Sequence, residues 1–267
     1  MSEPPVEVAA PDIGAYRRGN TGIPYVTTFE SDRAGPHAVI TALVHGNELS
    51  GALALVQLFE SGIRPARGRL SLAFVNVAAY ERFDPEQPKA SRYIDEDFNR
   101  VWDPATLDGP RRSIELDRAR AIRPLIEGAD MLLDLHSMQL PAPPLLLCGL
   151  AAKGRRLATA IGYPGVVVAD AGHRGGARMR DFGAFSDPSS PRTAMLVECG
   201  QHWAAKSVEV ALATCRHFLT ALDLVAPAAL AGLRGCAEPG PQRLIEVTHA
   251  VTVNGGPFHF AQDFQGL

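Results

Sequence analysis

The sequence predicts an α/β sandwich built on a mostly parallel or mixed central sheet. Three observations carry the prediction. Apolar, strand-like runs alternate with helix-periodic segments along most of the 267 residues. The composition, 46% apolar and 21% charged, is ordinary for a chain with a full core and excludes disordered and low-complexity architectures. From residue 242 the pattern changes to strict alternation, which marks the start of a second, β-rich unit.

Taken in order, residues 23–30 read as a strand, 31–36 as a turn-rich connection and 38–44 as an apolar strand. So short a link predicts a hairpin. Residues 48–61 place apolar side chains at 49, 52, 53, 55, 56 and 59, the spacing of a mostly buried helix, and Gly62 stops it. Residues 70–77 are a further buried strand. Between 80 and 110 no period is visible and Pro and Gly recur; a long irregular stretch in a compact domain is usually functional. A helix over 111–127 is expected to break or end near Pro124. Short strands follow at 131–135, 145–148, 166–169 and 193–197, with helices at 151–161 and about 204–225. After 242, Leu244, Glu246, Thr248 and Ala250 alternate with Ile245, Val247, His249 and Val251, and the chain stops at residue 267 without a helix or cap, so we expect this β unit to be incomplete.

The charge balance narrows the partners. Lys and Arg number 26 against 29 Asp and Glu, a formal charge of −3, which gives no basis for nucleic acid or an anionic membrane. The longest nearly apolar stretch, 145–152, is far too short to span a bilayer. The first residues lack the basic start and apolar run of a signal peptide. Cys148, Cys199, Cys215 and Cys236 form no Cys-x-x-Cys pair. We therefore expect reduced thiols and a cytoplasmic protein. Assembly into a homo-oligomer is compatible with the sequence. All but three of the basic residues are Arg, whose planar fork suits carboxylates, although a compositional bias explains the excess equally well.

Active sites of open α/β sheets lie at the carboxyl ends of strands. His45-Gly46-Asn47-Glu48 follows Val44, His136 follows Leu135, and Glu198 follows Val197. Three strands thus deliver two imidazoles and two carboxylates to one sheet edge. His45 and Glu48, spaced i, i+3, fall on the same side of a first helical turn. With His136 they make a ligand set that suits one zinc ion with an open fourth position. Alone, His-x-x-Glu is a weak signal that an ordinary capping or surface pair also satisfies. Asp134, two residues before His136, shares its face in extended chain and could hold either imidazole from behind, or merely cap a turn. Glu198 reads as a general base if buried, or as a strand-end carboxylate in water. Cys199 beside His202 hints at a thiol nucleophile, but buried cysteines are common and no separate base is indicated. Residues 91–100 offer Arg92, Asn99 and Arg100 for binding a carboxylate or steadying an oxyanion, if they are not simply a solvated loop.

His45-Gly46-Asn47-Glu48, Arg92-Tyr93-Ile94-Asp95, Asp97-Phe98-Asn99-Arg100, Asp134-Leu135-His136-Ser137 and Glu198-Cys199-Gly200, in that order, resemble the succinylglutamate desuccinylase/aspartoacylase family of zinc hydrolases, relatives of the zinc carboxypeptidases. The likeness spans about residues 37–203, with a looser echo after 240. It implies a zinc carboxypeptidase-like, three-layer α/β/α sandwich around a mixed sheet. Residues 1–228 would form the zinc hydrolase domain and 229–267 a C-terminal β-rich segment. It also implies one zinc per chain on His45, Glu48 and His136, water activated by zinc and Glu198, Arg92 on the acyl oxygen, and Asn99 and Arg100 on a substrate carboxylate. The expected reaction is hydrolysis of a small N-acyl amino acid that bears a carboxylate.

Two features depart from the family pattern. A further carboxylate-binding Arg, about ten residues before the catalytic Glu, is replaced here by Pro188. Arg178 and Arg180, though not in register, are the nearby candidates for substrate binding. The Tyr that the family takes from its C-terminal domain has no counterpart after Tyr163. Two other readings share the fold. A metallocarboxypeptidase acting on peptides would need an open groove in place of a roofed site. A non-catalytic binding module would be expected to have lost the base or an arginine, yet all are present.

Overall fold

The computed structural model describes residues 4–233, 238–250 and His259. Eight strands, β1 (Val26–Glu30), β2 (His37–Ala42), β3 (Arg69–Phe74), β4 (Met131–Met138), β5 (Leu145–Leu147), β6 (Val166–Ala169), β7 (Thr193–Gln201) and β8 (Arg243–Glu246), form one sheet in the order β1-β3-β2-β4-β7-β5-β6-β8. The pairs β2–β3, β2–β4, β4–β7, β5–β6 and β6–β8 are parallel, while β1–β3 and β5–β7 are antiparallel. The helices are α1 (Leu49–Glu60), α2 (Val77–Tyr80), α3 (Pro104–Asp108), α4 (Ile114–Glu127), α5 (Ala152–Ile161), α6 (Ala205–Ala221) and α7 (Pro227–Leu230).

Strand β2 is buried along its whole length, as a parallel strand covered on both faces must be. Successive side chains part to opposite faces. Ile40, Ala42, Leu133 and Leu135 join Leu55 of α1, Leu157 of α5 and Phe218 of α6 in one core. Val39, Leu132 and Ala194 join Leu116 and Ile122 of α4 and Trp102 in the other. Two apolar layers around one sheet make the expected α/β/α sandwich. Each large aliphatic side chain so buried is worth roughly 1.5–3 kcal/mol.

Several expectations are corrected. No hairpin joins β1 to β2, because β3 lies between them. The half-exposed β1 suits an edge, whereas the fully buried β2 needs a neighbour on each side. Helix α4 runs through Pro124 to Glu127 and ends at Gly128, so the lost hydrogen bond falls in its closing turn. Strand β3 stops at Phe74, and residues 77–80 turn into α2. The irregular stretch carries the short α3 and a 3₁₀ turn over Phe98–Arg100. Strands β4 and β7 extend past the predicted ends, so His136 and Glu198 lie inside paired strands, directly opposite each other in register.

The β-rich stretch after 242 opens with β8, which adds to the central sheet beside β6. Apart from His259, residues 251–267 lie outside the described residues, and the remainder of the predicted C-terminal unit with them. Cys148, Cys199 and Cys215 are buried and free, while Cys236 lies outside the described residues. Among the described residues no helix is long and apolar enough to cross a membrane.

Candidate metal centre

Strand β2 ends at Ala42 and the chain turns through His45 and Gly46 into α1, which puts His45 and Glu48 at the carboxyl edge of the sheet. Gly46 makes this junction: a Cβ there would lie 2.4 Å from Ala79 C and 2.5 Å from Ser91 O, and its N–H donates to Arg92 O at 3.1 Å. The absence of a side chain therefore lets the 91–100 loop close over His45. Neighbouring β4 supplies Asp134 and His136 from one face, as their spacing of two requires.

The ligand-type atoms of His45, Glu48 and His136 lie within 4.8 Å of one another. Glu48 Oε1 is 2.7 Å from His45 Nδ1, and Glu48 Oε2 is 3.1 Å from His136 Nδ1. Both opposite nitrogens are held by other carboxylates. His136 Nε2 is 2.9 Å from Asp134 Oδ2, and Asp134 Oδ1 accepts from the Thr41 hydroxyl at 2.7 Å. His45 Nε2 is 3.0 Å from Asp97 Oδ1. With each Nε2 held by its own carboxylate, Nδ1 is the nitrogen that faces Glu48, donating to it when it carries a proton and open to a metal ion when it does not. Two imidazoles and a carboxylate converging in this way, with carboxylates behind the rings, form a donor set that could hold a metal ion.

Electrostatics follow the same grouping. Burial pushes the Glu48 carboxyl up, but His136 and His45 outweigh it and hold it well below the usual range. Burial pushes His136 down, but Asp134 and Glu48 raise it well above an ordinary imidazole. Asp97 is likewise lowered against burial, by His45 first and then by Arg100 and Arg92. Glu198, opposite His136, is half-buried, and its Oε2 is enclosed with no hydrogen-bond partner among the described residues. Burial, with Glu48 and Asp134 nearby, pushes its carboxyl up to about 8 against the pull of His136 and Arg92.

The predicted substrate residues divide. Arg92 Nη2 donates to Asp97 Oδ2 at 3.1 Å and lies 2.9 Å from His45 Nε2, while its side chain stays 38% exposed. Arg100 has its Nη2 3.9 Å from Asp97 Oδ2 and remains 25% exposed. Asn99 accepts from Met179 N–H at 2.8 Å. Arg92 and Arg100 therefore stand beside the cluster, and Asn99 is tied to it through its backbone N–H, which donates to Asp97 Oδ1 at 2.8 Å.

Arg178 and Arg180 do not join it. Arg178 donates to Asp170 at 2.9 and 2.8 Å and to Asp181 at 2.7 Å, and it acts on Arg100 only by repulsion. Arg180 is buried beside the same two aspartates. Loop register, invisible in spacing, decides this. The Cys199–His202 pair is no nucleophile and base either. Burial pushes the Cys199 thiol well up, and His202 Nδ1 bonds the Ser137 hydroxyl at 2.8 Å.

Sequence reasoning gave Asp97 no role. Its only signal is its place in the Asp97–Arg100 motif, because nothing local says that it faces an imidazole 52 residues earlier.

The model of the succinylglutamate desuccinylase/aspartoacylase catalytic domain matches residues 34–219. Among solved structures, the product-bound ectoine utilization protein EutE (DoeB) of Ruegeria pomeroyi aligns at 20% identity over 86% of this chain and 66% of that one, with a TM-score of 0.61. The succinylglutamate desuccinylase/aspartoacylase of Rhodobacter sphaeroides aligns at 19% over 84% and 66%, also at 0.61. An aspartoacylase family protein of Mesorhizobium loti aligns at 20% over 84% and 72%, at 0.59. Likeness at these identities establishes the fold. The chain spans just under two thirds of the length of the first two. A search of the curated proteins gives no match.

Proposed function

The chain belongs to the succinylglutamate desuccinylase/aspartoacylase family, and on that premise we propose that it is a zinc-dependent hydrolase that cleaves the amide bond of a small N-acyl amino acid. The observation that carries this reading is the convergence of His45 Nδ1 and His136 Nδ1 on Glu48, with Asp97 and Asp134 behind the rings. His45, Glu48 and His136 would hold the zinc. When bound, it supplies Lewis acidity that polarises a carbonyl and lowers the pKa of a water.

Glu198 takes the proton of the attacking water and returns it to the departing amine nitrogen. A carboxyl pushed up to about 8 exchanges protons near neutral pH, which suits a group that must first accept and then donate. Arg92, anchored on Asp97 yet partly exposed, swings its guanidinium onto the acyl oxygen as negative charge develops there. Arg100 takes a substrate carboxylate through its fork, and Asn99, its Oδ1 already engaged, adds an amide N–H.

The test pairs metal analysis with a hydrolysis screen of N-acetyl, N-succinyl and N-formyl amino acids and of short peptides, with and without chelator. Glu198→Gln should keep its metal and lose about 10²–10⁴-fold in kcat. Near-wild-type turnover in that variant, or full activity after demetallation, would reject the reading. Cleavage confined to peptides would reject the substrate class.

A further inference from the structure

The candidate metal ligands ride on two segments, the β2–α1 junction and β4, and one turn grips both. It is the turn that leaves β7, at His202 and Trp203. Trp203 Nε1 donates to Asn47 O at 3.0 Å, one residue before Glu48. His202 Nδ1 shares a hydrogen bond of 2.8 Å with the hydroxyl of Ser137, one residue after His136. The backbone N–H of His202 donates to Met138 O at 2.8 Å, and that of Trp203 to Gln201 Oε1 at 2.8 Å, so the turn itself is pinned.

Ser137 stands where the sheet pairing changes on both sides. Strand β2 has ended, its last residue paired with β4 being Ala42, opposite Leu135. The N–H of Ser137 donates to Glu48 Oε2 at 3.1 Å, the same oxygen that lies 3.1 Å from His136 Nδ1. On the other side the register with β7 shifts. His136 faces Glu198 but Met138 faces Gln201, so Cys199 and Gly200 together oppose Ser137. Bulges of this kind re-aim the side chains beside them. Gly200 suits the position, with φ at +113° and a Cβ there only 2.9 Å from Ser207 Oγ.

Outside the regular ladder, Ser137 needs another anchor, and His202 supplies it. Both residues are buried. Among the described residues neither side chain makes a second hydrogen bond. The His202 ring packs on Trp203, with centroids 5.7 Å apart. Burial lowers the His202 pKa to about 4, so the imidazole stays neutral and sets no positive charge against a bound cation. Loss of the Ser137–His202 bond therefore leaves a buried polar group unpaired beside the backbone N–H that holds Glu48.

We propose that His202 is a positioning residue for the metal centre, acting through Ser137 to fix the backbone N–H that holds Glu48 Oε2. The proposal rests on the reading of His45, Glu48 and His136 as zinc ligands. A ligand carboxylate held by an outer hydrogen bond keeps its orientation before the metal arrives, and loss of such an outer partner weakens metal binding.

A double-mutant cycle on zinc affinity in the full chain, read by competition with a chromogenic chelator, tests this. His202→Leu and Ser137→Ala should each weaken zinc binding about tenfold, and the double variant no further than either alone, because both remove the same bond. His202→Asn, whose amide can stand in for Nδ1, should recover most of the affinity. Should His202→Leu fail to fold, Ser137→Ala carries the test by deletion of a single oxygen. The same variants are read without metal by hydrogen exchange at the Ser137 amide. Its protection should fall about tenfold in His202→Leu while that of Leu133, within the same strand, holds. A wild type that binds no zinc would reject the hydrolase reading, and the exchange rates would then decide the role of His202. Wild-type zinc affinity in Ser137→Ala, additive losses in the double variant, no recovery in His202→Asn, or unchanged exchange at Ser137 would each overturn the proposal.

Discussion

Which nitrogen of each imidazole is free depends on the carboxylate behind it. Asp134 is fully buried between Thr41 and His136, so its oxygens have no alternative partners. Asp134→Asn keeps the shape but replaces a charged acceptor with a weaker one. Zinc affinity, read by competition with a chromogenic chelator, should fall about 10–100-fold with the fold intact. An unchanged affinity would show that Asp134 merely packs. The sequence announces this residue through its spacing from His136. Asp97 does the same for His45 without any announcement, because its partner is reached only when the 91–100 loop closes over Gly46.

That loop is held as an element by Glu115, in the first turn of α4. Its Oε1 accepts from Ile94 N–H at 2.7 Å and Asn76 Nδ2 at 3.3 Å, and its Oε2 from the N–H groups of Asp95 and Glu96 at 3.0 and 3.3 Å. Four donors on one fully buried carboxylate leave no place for an amide NH₂. Glu115→Gln should therefore cost about 1–3 kcal/mol in denaturant unfolding and weaken zinc binding as Asp97 shifts. A stability change below about 0.5 kcal/mol would mean the loop stands without this cradle.

At the start of β2, His37 bonds Gly128 O at 3.1 Å and the Ser71 hydroxyl at 2.7 Å, tying three elements together. Burial lowers its pKa below the ordinary value. Below about pH 6.5 the unfolded chain therefore takes the proton more readily than the folded one. The stability His37 contributes is present above that pH and is lost as pH falls toward its folded pKa. Melting in a pH series should show this loss, and His37→Gln should flatten it. Equal slopes for both proteins would remove His37 from the account.

For the whole molecule, the candidate metal ligands come from two segments, the β2–α1 junction and β4, that meet only in the folded sheet. A metal held there binds the native state alone, so zinc added to demetallated protein should raise its stability by about 2.7 kcal/mol at a hundredfold excess over Kd. Thermal melts with and without zinc should show the shift, and Glu48→Ala should abolish it. A shift that persists in Glu48→Ala would place the metal elsewhere. How much of this the sequence foretold follows from the range of each interaction. Hydrophobic period and strand-end chemistry are local, so the sandwich, the helices around Leu55 and Phe218, and the roles open to His45, Glu48, His136 and Glu198 could be read directly from the chain. Strand order, the pairing of Asp97 with His45, and the withdrawal of Arg178 and Arg180 into a buried network depend on segments far apart in sequence and on how their loops close. No spacing along the chain encodes those contacts, and only packing around the finished sheet decides them.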